Sequence, residues 1–161
     1  MKKKAIFLDR DGVINFERGD YTWLLHDFVI NDGLGSALKY FKSLGYYLIV
    51  ISNQGGIAKG IYTADDFLLL HQALQSFLSH YEVQIDDYYF CPHYTELGQC
   101  LCRKPNSLMI ERALARYDID ASHSYLIGDK VTDAAAAFAA GVNPIIIEPN
   151  TPLSEVVDRV K

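Results

Sequence analysis

The chain has 161 residues, half of them hydrophobic, and 20 acidic against 15 basic side chains give a formal net charge of −5. That is enough chain for one domain, 1–161, with a substantial core, and too apolar for disorder. The acidic balance argues against nucleic acid as the main partner, no run approaches a membrane span, and the basic start at Met1-Lys2-Lys3-Lys4 reaches Asp9 after too few apolar residues for a signal peptide, so a cytoplasmic monomer is expected.

Residues 5–8 read as a buried strand ending in Asp9-Arg10-Asp11-Gly12. On a strand the two aspartates would point the same way. Like charges this close persist only if a cation or a shared proton offsets their repulsion, and magnesium, a hard cation preferring oxygen, suits the pair. An ordinary Asp-Gly turn after a strand would leave the same trace.

Residues 16–32 have no period and read as a loop over the sheet edge, with Tyr21, Trp23 and His26 closing a core edge rather than flooring a pocket. Leu34, Ala37, Leu38, Phe41 and Leu44 recur at helical spacing before Gly45, and Tyr47 to Ile51 is a continuous apolar run typical of a parallel strand covered on both faces. Thr63 is placed to cap a helix that carries Asp65 and Asp66 in its first turn and reaches about Tyr81. A third strand over 87–90, a polar loop over 91–104, a helix over 108–117, a fourth strand over 125–127, an alanine-rich helix over 132–140, a last strand over 144–147 and a short helix over 153–160 complete the reading. Strand and helix alternate throughout, which predicts an α/β fold with a doubly wound, mostly parallel sheet.

Every strand but the last ends in polar chemistry, and parallel pairing would bring those ends onto one rim. Asp9 and Asp11 follow the first strand, Ser52 and Asn53 close the second, Arg103 and Lys104 follow the third, and Asp129, Lys130 and Asp133 follow the fourth. Carboxylates, a hydroxyl, an amide and cations together suit phosphoryl transfer, in which catalysis is mainly positioning and charge neutralisation.

The cysteines, Cys91, Cys100 and Cys102, fall within twelve positions and are joined by His93. Such a spacing is poor for a disulfide framework and good for a metal. Three thiolates and one imidazole make a closed, structural zinc set; the alternative is three unbound thiols exposed to oxidation.

The motifs Asp9-Arg10-Asp11-Gly12, Ser52, Arg103-Lys104-Pro105 and Gly128-Asp129-Lys130-x-x-Asp133 resemble the four motifs of the haloacid dehalogenase superfamily, over essentially the whole chain. Ser52-Asn53-Gln54, Cys91-Pro92-His93 and Cys102-Arg103-Lys104-Pro105 are similar to its small, capless branch, which contains D,D-heptose bisphosphate phosphatases and histidinol-phosphate phosphatase domains. Val13 stands where that family usually has threonine.

The resemblance implies a magnesium-dependent phosphatase acting on a small phosphorylated metabolite. Asp9 is then the nucleophile and Asp11 the general acid and base, with Arg10 pointing away from the pair. Magnesium is held by the Asp9 carboxylate, the Asp11 main-chain carbonyl and Asp129. Ser52 and Asn53 bond the phosphoryl oxygens, Lys104 neutralises them, and Arg103 and Lys130 serve the same charge field or the substrate. Asp133 orients Lys130 or a metal-bound water, or is simply a first-turn acid. Cys91, His93, Cys100 and Cys102 hold structural zinc.

Gly55-Gly56-Ile57-Ala58-Lys59-Gly60 resembles the corresponding stretch of heptose bisphosphate phosphatases and favours removal of the C7 phosphate of D-glycero-D-manno-heptose 1,7-bisphosphate. The short zinc loop resembles histidinol-phosphate phosphatases instead, whose cationic substrate Glu17, Asp20 and Glu96 could face. A phospho-accepting receiver module is a distant alternative, because receivers carry the accepting aspartate on the third strand.

Overall fold

The computed structural model describes residues 2–161. Five strands, β1 (Lys4–Leu8), β2 (Tyr46–Asn53), β3 (Asp87–Cys91), β4 (Tyr125–Gly128) and β5 (Asn143–Ile146), pair in parallel in the order β3-β2-β1-β4-β5. The chain therefore starts in the middle, winds out to β3, and returns to the other side of β1. That reversal puts the ends of β1 and β4 at a topological switch point, where an open α/β sheet forms its crevice. The Asp9 N–H donates to the Ile127 carbonyl at 3.0 Å, tying the first residue beyond β1 to β4.

Alternation along the strands supplies two cores. Ile6, Leu8, Leu48 and Val50 pack with Leu34, Leu38 and Phe41 of α1 (Leu34–Ser43) and with Leu74 and Leu78 of α2 (Ala64–Ser79). Ala5, Phe7, Ile49 and Ile51 pack with Met109, Ile110 and Ala113 of α3 (Leu108–Tyr117) and with Ala136 and Ala137 of α4 (Val131–Ala139). Both faces are covered, which is why β2 reads as an unbroken apolar run. Thr63 caps α2 as expected, its hydroxyl accepting from the Asp66 N–H while the Asp66 carboxylate accepts from the Thr63 N–H.

Two expectations change. The final helix over 153–160 is instead a pair of 3₁₀ turns, Leu153–Glu155 and Val157–Arg159, with no side-chain cap on either, which still bury Leu153, Val156 and Val160 against the first core. The loop over 16–32 contains a 3₁₀ turn, Leu25–Asp27, and an antiparallel bridge between Asn15 and Ile30. Among the described residues it carries no inserted helical cap. Asn150, in the loop after β5, fastens it from the far side: its Oδ1 accepts from the Glu17 N–H at 2.6 Å, its Nδ2 donates to the Glu17 carbonyl at 3.1 Å, and its own N–H donates to the Gly12 carbonyl at 2.8 Å.

Candidate active site

At the end of β1 the chain turns sharply, and the Arg10 carbonyl accepts from the N–H groups of Val13, Ile14 and Asn15. Gly12 sits at φ +90°, and a Cβ there would fall 2.4 Å from Asp129 Oδ2, so only glycine lets this turn lie against Asp129. A Cβ on Gly128 would meet the Asp133 carboxyl at the same distance, so the end of β4 is equally tight.

The result is a cluster. Asp9, Asp129 and Asp133 each offer a carboxylate oxygen within 4.8 Å of the others. Lys104, 3% exposed, enters from the β3–α3 connection; its Nζ lies 3.0 Å from Asp9 Oδ1 and 2.6 Å from Asp133 Oδ1, and donates to the Ile51 carbonyl at 2.8 Å. Burial pushes the Asp9 carboxyl up to about 7, against the opposing pull of Lys104. For Lys104, burial acts downward, and the Asp9 and Asp133 carboxylates more than offset it, holding the ammonium above its ordinary range. Burial also raises Asp129, with Lys130 opposing. Both Asp129 oxygens are sealed from solvent and have no hydrogen-bond partner. Three carboxyls gather around the Lys104 ammonium, and two carboxylate oxygens are left without a donor. That donor set fits a hard divalent cation such as magnesium.

Asp11 lies apart from this cluster, in a ring of donors. Its Oδ1 accepts from Arg10 Nη2 and Asn15 Nδ2, both at 2.9 Å, and its Oδ2 accepts from Gln54 Nε2 at 3.3 Å. Arg10 thus turns toward Asp11 rather than away, because the tight turn after Asp9 brings the guanidinium back beside the carboxylate.

Ser52 and Asn53 are held differently from expectation. Ser52 is fully buried and its Oγ accepts from Gln54 Nε2 at 2.8 Å. The Asn53 amide is spent on the main chain of Lys104, with Nδ2 donating to its carbonyl at 3.0 Å and Oδ1 accepting from its N–H at 2.9 Å. Asn53 therefore grips the loop that delivers the lysine. Asp133 orients Lys104 rather than Lys130, and also accepts from the Lys130 N–H at 3.1 Å to cap α4.

Beside this loop, Cys91, His93, Cys100 and Cys102 gather with their ligand atoms within 4.8 Å of one another. Cys91 Sγ lies 3.4 Å from His93 Nδ1 and 3.6 Å from Cys100 Sγ, and His93 Nδ1 lies 3.2 Å from Cys102 Sγ. These separations approach the roughly 3.5–3.8 Å edges of a tetrahedron with zinc–ligand bonds of ordinary length, while Cys91 and Cys102 approach more closely, at 2.8 Å. All three cysteines are free thiols. The donor set is that of a closed four-ligand zinc site.

The family model for HAD-hydrolase-like proteins matches residues 101–151. The chain is 41% identical over 154 residues to a D-glycero-β-D-manno-heptose-1,7-bisphosphate 7-phosphatase of Haemophilus ducreyi, covering 91% of this chain and 84% of the relative. It is 38% identical over 147 residues to a D-glycero-α-D-manno-heptose-1,7-bisphosphate 7-phosphatase of Campylobacter jejuni, covering 91% and 83%. The crystal structure of a D,D-heptose 1,7-bisphosphate phosphatase from B. bronchiseptica, complexed with magnesium and phosphate, superposes with a TM-score of 0.86 at 26% identity, covering 96% of this chain and 86% of that one. The chain belongs to the haloacid dehalogenase superfamily of phosphatases.

In this member of the superfamily, a cavity of about 670 Å³ opens above the carboxylate cluster. Asp9, Asp11 and Lys104 line its floor, and Gln54, Arg103 and Lys130 line it with Tyr21, Glu17 and Asp20 of the 16–32 loop. Tyr21 is therefore a pocket residue, whereas Trp23 stacks on Tyr62 at 6.4 Å between centroids and His26 is exposed. Glu96 is not among the lining residues. Lys59 reaches the faces of Tyr94 at 3.8 Å and Tyr21 at 5.1 Å.

Sequence reasoning missed Gln54, Asn15 and Tyr62. Tyr62, 5% exposed, donates its hydroxyl to Gln54 Oε1, which fixes the amide with its NH₂ toward Ser52 and Asp11. Burial pushes the Tyr62 hydroxyl up to about 12, so it remains a donor. The adjacency of Gln54 to Ser52 was the available signal; nothing in the spacing points to Tyr62.

Proposed function

We propose that this phosphatase removes the 7-phosphate of D-glycero-D-manno-heptose 1,7-bisphosphate through an aspartyl-phosphate on Asp9. The observation that carries the reading is the convergence of Asp9, Asp129, Asp133 and Lys104 in one buried cluster that leaves two carboxylate oxygens without a donor. Relatives about 40% identical over most of the chain bear the heptose bisphosphate name, and this supports the substrate.

Asp9 attacks phosphorus, and Asp11 gives a proton to the departing alcohol oxygen as the P–O bond breaks. A water then attacks the phosphorylated Asp9; Asp11 takes its proton, and phosphate leaves with Asp9 restored. Lys104, fixed by Asp9, Asp133 and the Ile51 carbonyl, presents a preorganised positive charge to the transferring group. Asp9, Asp129 and the main-chain carbonyl of Asp11 would hold magnesium, which when bound supplies neutralisation of the phosphoryl charge. Ser52 shapes this floor through Gln54, and Asn53 steadies Lys104. Arg103 and Lys130, both lining the cavity, are assigned to the rest of the substrate, where a guanidinium suits a second phosphate.

The cysteine–histidine cluster is assigned a structural zinc that stiffens the loop ahead of Lys104. Arg103 Nη1 donates to the His93 carbonyl at 3.1 Å, so ordering this loop also positions Arg103. The proposed catalyst is a single domain, 1–161, acting as a monomer. A zinc set of three thiolates is suited to a reducing compartment such as the cytoplasm.

Glu17 and Asp20, on the cavity wall, together with the short loop between His93 and Cys100, favour a cationic substrate, and histidinol phosphate is the second reading. A receiver role is disfavoured because β3 ends in Cys91, with no accepting aspartate there. Steady-state kinetics with magnesium on both anomers of the heptose bisphosphate, beside histidinol phosphate, tests the assignment. A kcat/KM for either anomer at least tenfold above that for histidinol phosphate is expected; the reverse order overturns the substrate.

A further inference from the structure

The mechanism leaves one buried charge without a task. Arg10 is 4% exposed, and its guanidinium lies 5.5 Å from the ring centroid of Phe67 and 5.8 Å from that of Phe28. Its Nε and Nη1 are buried without a partner. Every hydrogen bond of the guanidinium runs through Nη2, which donates to Asp11 Oδ1 at 2.9 Å, to Asp11 Oδ2 at 3.2 Å and to the Thr22 carbonyl at 2.6 Å. Among the described residues Asp11 is its only carboxylate partner.

As a structural device this arrangement is poor. A guanidinium between aromatic rings with two of its three nitrogens unpaired is expensive to bury, and an apolar side chain of similar size would fill the space at least as well. What the charge does achieve is specific to Asp11. Asn15 reaches only Oδ1 and Gln54 only Oδ2, and both are neutral donors. Nη2 alone bridges both oxygens, which fixes the direction in which the carboxyl points, while Asn15 and Gln54 set its plane. The same nitrogen holds the carbonyl of Thr22, between Tyr21 on the cavity wall and Trp23 stacked on Tyr62. One nitrogen therefore joins Asp11 to the wall that contains the substrate.

We infer that Arg10 is a positioning residue: it sets the orientation of the Asp11 carboxyl toward the leaving oxygen and couples that orientation to the 16–32 loop. The inference rests on the reading of Asp11 as the proton donor. Its signature is dependence on the leaving group. The heptose bisphosphate expels a poor alkoxide that needs the proton; p-nitrophenyl phosphate expels a stable phenolate that does not. The comparison is made on kcat/KM, which covers the steps up to loss of the alcohol and excludes the later water attack.

In Arg10→Leu, kcat/KM for the heptose bisphosphate is expected to fall about 100-fold and that for p-nitrophenyl phosphate less than about threefold. Arg10→Lys keeps the charge but not the planar fork, and is expected to show a smaller loss with the same preference, about tenfold. In an Asp11→Asn background, Arg10→Leu should add no further alkyl-selective loss. Folding is checked by circular dichroism, and if Arg10→Leu does not fold, Arg10→Lys decides. Folded Arg10 variants that lose equally on both esters, or lose nothing, overturn the inference while Asp11→Asn still shows the preference. If Asp11→Asn shows no preference, the Asp11 reading itself fails and takes this inference with it.

Discussion

The two aspartates that open the site stand two residues apart and live in opposite surroundings. Asp9 faces other carboxylates, Asp129 and Asp133, with Lys104 as the only cation bonded to it among the described residues. Asp11 faces none of these and is ringed by Arg10, Asn15 and Gln54. The first environment is short of positive charge and invites a cation and a phosphoryl group. The second is rich in donors and fixes one carboxyl in orientation. The same residue type is thus given two surroundings by what the fold brings to it, and the sequence pattern Asp-x-Asp alone does not reveal the difference.

The largest break in this comparison comes from Asp9→Asn, which keeps the shape and removes the nucleophile. Turnover is expected to fall by about 10⁴-fold or more in steady-state phosphate release, with fold and zinc content unchanged. Near-normal rates would mean that the nucleophile lies elsewhere. Lys104→Met strips the Asp9 side of its bonded cation and should lower kcat about 10²- to 10³-fold. It also leaves Asp9 and Asp133 facing each other unpaired, so its thermal stability should drop most without magnesium and recover in part when magnesium is added. An equal drop in both conditions would argue against a cation at this cluster.

Removing zinc tests whether the loop carrying Lys104 needs an outside brace. A strong zinc chelator should lower the melting temperature by several degrees, and kcat about tenfold, even with magnesium restored. An unchanged melting curve with no zinc by elemental analysis would leave the thiols unliganded. Asn53→Ala, which releases the main chain of Lys104, should have the smallest effect, a stability loss of about 1–3 kcal/mol in denaturant titration and a loss in kcat smaller than that of Lys104→Met. A loss matching Lys104→Met would mean that Asn53 touches the phosphoryl group directly.

Much of this site was legible because strand ends announce themselves. Ile6 to Leu8, Tyr47 to Ile51 and Tyr125 to Ile127 are apolar runs cut short by polar residues, and parallel pairing forces those residues together. The gathering of Cys91, His93, Cys100 and Cys102 was legible because these residues come as two close pairs. What was hidden is what depends on contacts far apart in the chain. The grip of Asn53 on Lys104 spans 51 positions, and no period predicts it. The return of Arg10 onto Asp11 follows from a turn whose tightness is visible only against Asp129. Tyr21 and Trp23 of the 16–32 loop both pack against Tyr62, a partner that no local pattern names, and only Tyr21 also lines the cavity. The last helix failed because an eight-residue apolar period, uncapped and beside Pro152, closes into 3₁₀ turns as readily as into a helix.

Asn150 contributes nothing to the chemistry, yet it holds Glu17 by two bonds and Gly12 by a third. Two of these bonds span 133 positions, so the loop beside Asp9 and Asp11 is fastened only once the sheet has assembled, and a change that loosens the turn after β5 would release that loop from the opposite end of the fold.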